Sequence, residues 1–342
     1  SQLGLRLRLT KLIDWPEMKK VLLVSLPRTI TLSSNQLSLL VLVALASLLP
    51  KGSISIFNFS LNLQSVPLSI VGVSYSVAAF PVLARFFAAG KQKEFIGEII
   101  GATRHIIFWS APAIVFFVVL RAQIVRVVLG SGHFDWSATR LTAACLAIFA
   151  VSVIAQSLIL LFVRAYYAAG ETRTPLLINS ISSLGTILLA FGLWRLFQVW
   201  PVLHLTLENI LRLKGLPGTE VLILPLAFSI GAIVNLGILW WAFERRFTSI
   251  WRDLENVGSQ SLAASLFGGF VAYNLLNLFS LYYQLDTFWS VFGQGALAGI
   301  VGLIAWASVL IFLKSEELAE LFRSLSSRVW KGVPIVPEQK EL

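Results

Sequence analysis

Residues 137–169 read SATRLTAACLAIFAVSVIAQSLILLFVRAYYAA. No charged side chain falls between Arg140 and Arg164, and small and branched apolar residues occupy every helical face. A helix rises 1.5 Å per residue, so these residues cover the roughly 30 Å hydrocarbon core of a bilayer in one pass. Working outward, seven more runs meet the same test, at about 21–49, 54–88, 97–129, 175–200, 221–246, 260–281 and 287–313. The sequence therefore predicts an all-α integral membrane protein with eight transmembrane helices. The second run is longer than one crossing needs, which predicts a tilt or a kink at Pro67. Most linkers are short and marked by Gly or Pro, as in Pro50-Lys51-Gly52 and Gly170-Glu171-Thr172-Arg173-Thr174-Pro175, so consecutive helices run antiparallel. Only 201–220 is long enough for a short surface helix.

Composition supports this reading and excludes others. Hydrophobic residues make up 57% of the 342, charged residues 13%, and the mean hydropathy is +0.81; soluble chains carry about a quarter charged residues. The net charge of +10 sits in short loops between apolar runs, the membrane pattern, so no nucleic-acid partner is expected. A single cysteine, Cys145, allows no disulfide framework, and His105, His133 and His204 are too dispersed for a metal site. No Asp or Glu lies in the middle of any run, which leaves no carboxylate for a proton relay or for a metal-dependent transferase. No Walker-type phosphate loop is present. Neither an enzyme nor a bound cofactor is expected.

Charge asymmetry sets a topology. With a cytosolic N-terminus, the outer loops carry only Lys51, Arg121, Arg126, Arg140, Arg195, Arg212 and Lys214 of the 27 basic residues. Even-numbered spanning then returns the C-terminus to the cytosol, and the charged residues 314–342 read as a cytosolic tail. The chain opens on Ser1 and its only methionine is Met18. Residues 1–20 read as an amphipathic cytosolic linker arriving from an upstream part.

Polar residues recur at helical spacing inside two runs: Arg28, Thr31, Asn35 and Ser38 in the first, and Ser55, Asn58, Asn62, Ser65 and Ser69 in the second. The fifth holds a shorter set, Asn179, Ser182 and Thr186. An unpaired amide in hydrocarbon costs roughly 4–8 kcal/mol, so such stripes face other helices or a wet cavity. Interhelical hydrogen bonding, worth about 0.6 kcal/mol per contact, accounts for the fifth run. Two asparagines one turn apart favour a cavity wall for the second. Arg28 fits either a cavity or snorkelling to the interface. Arg28, Asn35, Asn58, Asn62 and Ser65 are the candidate substrate-cavity residues.

Several stretches resemble the MurJ/MviN family of lipid II flippases. They are LPRTITLSSNQLSLLVLVALASLLPKGSISIFNF, LNLQSVPLSIVGVSYSVAAFPVLARFFAAGK, GSGHFD and RAYYAAGETRTP. Leu63–Pro67 followed by Gly72 and Pro81, the Gly132-His133-Phe134-Asp135 turn, and Arg164–Ala168 leading to Thr172–Pro175 carry the likeness, which extends over residues 18–250. The resemblance implies a six-helix transporter lobe at 21–250, the second of two, with two additional helices at 251–313 and a partner N-terminal six-helix lobe of the same protein. It also implies the function: translocation of a polyprenyl-pyrophosphate-linked saccharide, the peptidoglycan precursor, across the bacterial inner membrane by alternating access within membrane lipid. Two departures stand out. Aligned on Pro67, Asn62 occupies the place of a cavity arginine found in a YADRL stretch of the family, with Leu61 where the acid sits. The stretch Leu39–Leu48 lacks the aspartate of the sodium site that some members have. These departures keep open a flippase for another polyprenyl-linked oligosaccharide, or a degenerate half-transporter acting as a cell-wall scaffold.

Overall fold

A computed structural model describes residues 15–130, 135–282, 287–320 and 323. Among these the regular structure is entirely helical. Helix α1 spans Trp15–Ala46, and Gly52 in the left-handed region (φ 96°) turns the chain into α2, Ser53–Pro67. A π-helical segment, Leu68–Val73, then leads into α3, Ser74–Ala88. Beyond these come α4 (Gln92–Val119), α5 (Arg121–Leu129), α6 (Trp136–Ala168), α7 (Arg173–Val199) and α8 (Pro201–Leu211). The 3₁₀ turn Thr219–Leu222 precedes α9 (Ile223–Arg246), and α10 (Trp251–Tyr282) and α11 (Phe288–Phe312) complete the order.

Seven helical stretches among the described residues are long and apolar enough to cross a membrane: Ser53–Ala88, Gln92–Val119, Trp136–Ala168, Arg173–Val199, Thr219–Arg246, Trp251–Leu281 and Phe288–Phe312. The 32-residue α1 carries a shorter apolar portion, Asn35–Ala46, so the count approaches the eight runs read from the sequence. This is a multi-pass membrane protein, as the periodicity predicts.

The differences from the expected runs have physical causes. Apolar run 97–129 is two helices, broken at Leu120: α4 alone is about 42 Å long, enough to cross, and the following Arg121, Gln123 and Arg126 turn aside as α5. Pro67, which removes one backbone donor, stands immediately before the π-helical segment. The long 201–220 linker holds α8, a short helix as expected.

Helix α6 is the axle. It packs against α2, the π segment, α3, α4, α5 and α9, while α7 bridges α9 and α1. An apolar core at one end gathers Leu83, Phe95, Ile106, Phe162, Tyr166 and Phe243; the other end gathers Leu42, Phe57, Cys145, Phe149 and Leu222. Lipid is as apolar as these side chains, so close packing rather than exclusion from water holds the helices together. Gly72 permits the tightest part of this contact: a Cβ there would lie 2.8 Å from Ser157 Cα.

The α10–α11 pair lies against α4, with α11 also touching α5. After α11 the chain returns to α4. Arg104 donates from Nη2 (2.7 Å) and Nε (3.1 Å) to Glu317 Oε1, and from Nη2 to Glu316 (3.0 Å). Leu318 is buried beside Phe108 and Trp306. Burial would raise the Glu317 carboxyl, but its own backbone N–H, Arg104 and the Ser315 hydroxyl outweigh that and hold it below the usual carboxylate range.

Candidate functional site

Because α1 packs chiefly along α7, a cavity of about 400 Å³ remains between α1, α6, α7 and α9. Asn35, Gln36 and Ser38 reach it from α1, and Gln156, Arg164 and Tyr167 from α6. Asn179, Ser182, Ser183 and Thr186 line it from α7, with Gly231 and Asn235 from α9. Leu68, at the head of the π segment, contributes the remaining edge. Helical spacing produces this convergence: Gln156 and Tyr167 are eleven positions apart, three turns of α6, and Asn179, Ser182 and Thr186 follow one face of α7.

The wall is built from amide and hydroxyl pairs. Asn235 Nδ2 donates to Asn179 Oδ1 at 2.9 Å, joining α9 to α7. Ser38 Oγ donates to the Ser183 carbonyl (3.4 Å), joining α1 to α7. Gln156 Nε2 donates to Ser152 Oγ (2.8 Å) and to Gln64 Oε1 (3.2 Å), tying α6 to α2. Ser182 Oγ and Asn235 Oδ1 are buried without a hydrogen-bond partner among the described residues, which leaves polar capacity along the α7–α9 wall. Gly231 brings these helices together: a Cβ there would collide with Thr186.

Among the described residues Arg164 is the one cation that lines the cavity, and no carboxylate does. Its Nη1 donates to the Val73 carbonyl (3.3 Å) and to the Ser76 hydroxyl, which in turn donates to the Gly72 carbonyl (2.6 Å). The guanidinium thus holds the end of the π segment, where backbone acceptors lose their regular α-helical partners. Such a wall can hydrogen-bond a polar, anionic group.

The sequence candidates divide. Asn35 lines the cavity. Arg28 lies on α1, and its side chain is outside the described residues. Asn58 is half-buried, and Asn62 and Ser65 are exposed on α2 without lining this cavity. Ser65 Oγ donates to the Asn62 carbonyl (2.6 Å). With Ser55 and Ser69, also exposed, they form a polar face that lipid cannot solvate. The opposite face of α2 buries Ser60 and Gln64 against α6.

The Asn179, Ser182 and Thr186 set, read as glue from the sequence, both packs against α9 and lines the cavity. Asn235 stands alone among apolar neighbours and leaves no periodic trace, whereas Gln156 and Tyr167 share a face of α6 only with Ser152, a pattern too sparse to mark a cavity wall from sequence. Arg164 was counted as a boundary charge. The spacing of Ser152, Gln156 and Tyr167 was the available signal.

The family turns frame the bundle. Of Gly132-His133-Phe134-Asp135, only Asp135 is among the described residues. It caps α6 by accepting from the Ala138 N–H (2.7 Å) and from Ser137, which hold its carboxyl below the usual value. In the α6–α7 turn Glu171 accepts from the Thr174 hydroxyl and meets Arg246 of α9 at 3.5 Å.

The sequence model of the family described as "Lipid II flippase MurJ" matches residues 1–293. A protein of Bdellovibrio bacteriovorus named "Probable lipid II flippase MurJ" is 32% identical over 175 residues, covering 51% of this chain and 34% of that one. Among solved structures, "Lipid II flippase MurJ, inward closed conformation" superposes with a TM-score of 0.62 at 22% identity, covering 89% of this chain and 57% of that one. An outward-facing multidrug resistance MATE family transporter of the MOP superfamily gives 0.52 at 14% identity, over 90% of this chain and 67% of that one. These superpositions are likenesses of fold. The segment matched spans about a third of the length of the curated relative. The chain belongs to the MurJ family of lipid II flippases.

Proposed function

We propose that this chain forms the C-terminal part of a flippase that translocates lipid II, the lipid-linked peptidoglycan precursor, across the bacterial inner membrane by alternating access. The supporting observation is the polar cavity of about 400 Å³ between α1, α6, α7 and α9, in a bundle matched by the MurJ family over residues 1–293. Transporters of this kind bind substrate near the bilayer midplane, between two bundles that rock around the site. In this reading residues 21–250 are one six-helix lobe, residues 251–313 an added pair, and a second six-helix lobe of the same protein faces α1 and α2. The flanks are a cytosolic linker at 1–20 and a cytosolic tail at 314–342.

The exposed polar face of α2 supports that reading, since a facing lobe and a wet passage solvate what lipid cannot. Arg28, Asn35, Asn58, Asn62 and Ser65 then belong to the passage wall, where amides hydrogen-bond the pyrophosphate and sugar groups. Both ends of the chain are cytosolic, a reading supported by the concentration of Lys and Arg on that side. The test is reconstitution of the full-length protein in liposomes with labelled lipid II. Protein-dependent exposure of the label on the far leaflet supports the proposal, and a rate equal to protein-free vesicles overturns it. Residues 1–342 by themselves are expected not to flip, since alternating access needs both bundles.

A further inference from the structure

We infer that the end of the bundle bearing α5 and α8 holds the phosphate of an anionic phospholipid, in a three-arginine site distinct from the transport cavity. Arg121 opens α5, Arg140 lies in the first turn of α6 and Arg212 ends α8. Arg140 Nη2 donates to the Arg212 carbonyl, and Arg212 Nη2 donates to the Tyr273 hydroxyl of α10 at 2.8 Å. Arg121 is half-buried, spends Nη1 on the Val118 carbonyl (2.7 Å), and is lowered below the ordinary arginine value first by burial and then by Arg212. Two like charges, Arg121 and Arg212, therefore lie close enough to repel, and Arg121 is partly desolvated.

Neighbouring carboxylates do not neutralise them. None of the three arginines makes an ion pair among the described residues. Asp135 is engaged in capping α6, and Glu208 accepts from Thr219 (2.6 Å) and meets His204 at 3.4 Å. Arg212 closes α8 in a left-handed conformation (φ 59°, ψ 44°), a common way to end a helix. Arg121 and Arg212 lie close enough to repel, Arg140 is bonded to the Arg212 carbonyl, and no ion pair among the described residues engages them, a set of N–H donors that suits a phosphate, which accepts from more than one direction.

A lipid rather than a free ion is indicated by what surrounds the arginines. Trp136, Trp200 and Trp289 are all exposed at this end of the bundle, the aromatic girdle of a membrane–water interface. Below Tyr273, exposed Phe270 and Leu266 continue the same face of α10 and offer acyl chains an apolar track.

The test is lipid retention by the purified protein in mixed micelles of phosphatidylglycerol and phosphatidylcholine. The unaltered protein is expected to retain phosphatidylglycerol over phosphatidylcholine by about tenfold or more, given the contribution of each basic residue at such a surface. Arg121→Gln with Arg212→Gln should abolish the preference, while Arg195→Gln, a basic position at the same end, should keep it. Inorganic phosphate at the lipid's concentration should not displace the phosphatidylglycerol. Equal retention of the two lipids by the unaltered protein would overturn the inference without any variant having to fold. Equal loss in Arg195→Gln, or displacement by inorganic phosphate, would overturn it too, the first as general surface charge and the second as a free-anion site.

Discussion

At position 72 the absence of a side chain decides how close two helices come. Gly72 ends its approach on the backbone of Ser157, which cannot swing aside as a rotamer can. Gly72→Ala is therefore expected to destabilise the bundle by about 1–3 kcal/mol, the usual penalty of overpacking. Gly101→Ala, where an added Cβ meets nothing within 4 Å inside α4, should not destabilise the bundle and can raise its stability slightly. Thermal unfolding of both variants in detergent checks this. Asn62 poses a different question, because it is exposed on α2, where the resemblance would place a cavity arginine. If it faces a pyrophosphate, an added negative charge repels the ligand by roughly 4 kcal/mol at 4 Å and an effective dielectric of 20. Asn62→Asp is expected to abolish transport and Asn62→Arg to preserve it, at equal membrane levels of protein. Equal loss of function and of protein in both would make the asparagine a packing residue.

Among the elements, the second crossing and the returning C-terminal segment carry the most specific consequences. Pro67 and excess length point to a tilt or a kink there, while the π-helical segment that follows Pro67 depends on tertiary partners that periodicity does not record. Arg164 from α6 and Gly72 against Ser157 supply them. In the same way run 97–129 reads as one apolar stretch, while its division at Leu120 follows from bilayer thickness and from the packing of α5 on α6 and α11. The Arg104–Glu317 contact ties the chain after α11 to α4. Hydrogen bonds to charged groups contribute about 1.5–3 kcal/mol, less where solvent screens them, as at the one-third exposed Arg104 side chain. Because the folded Glu317 carboxyl lies below its ordinary value, its contribution is complete above that value and is lost as pH falls through the lowered one. Glu317→Gln should thus lower the unfolding temperature at pH 7, and the difference from the unaltered protein should shrink as pH falls below the ordinary glutamate value and vanish once it passes the lowered one. A difference that persists in acid would assign the effect to packing of Leu318 instead.

For the whole molecule, helix number and polarity of the runs were legible because lipid imposes length and apolarity on each crossing. The cavity was legible only in part. Stripes such as Asn179, Ser182 and Thr186 mark a helix face, but which face meets which depends on helix rotation, and single residues such as Asn235 leave no periodic trace. Topology remains testable on its own terms. With Cys145 replaced by Ala, a cysteine at Lys51 should react with an impermeant reagent from outside and one at Gln92 should not; reversed labelling would invert the orientation.

The central claim is that this bundle is part of a lipid II flippase, and restoration of growth measures it most directly. The full-length gene is placed in a bacterium whose own flippase can be switched off. The account predicts sustained growth, with lipid II reaching the outer leaflet, and loss of both when Asn62→Asp is introduced into normally abundant protein. Arrested growth with lipid II accumulating on the cytosolic side, despite abundant unaltered protein in the membrane, would contradict it.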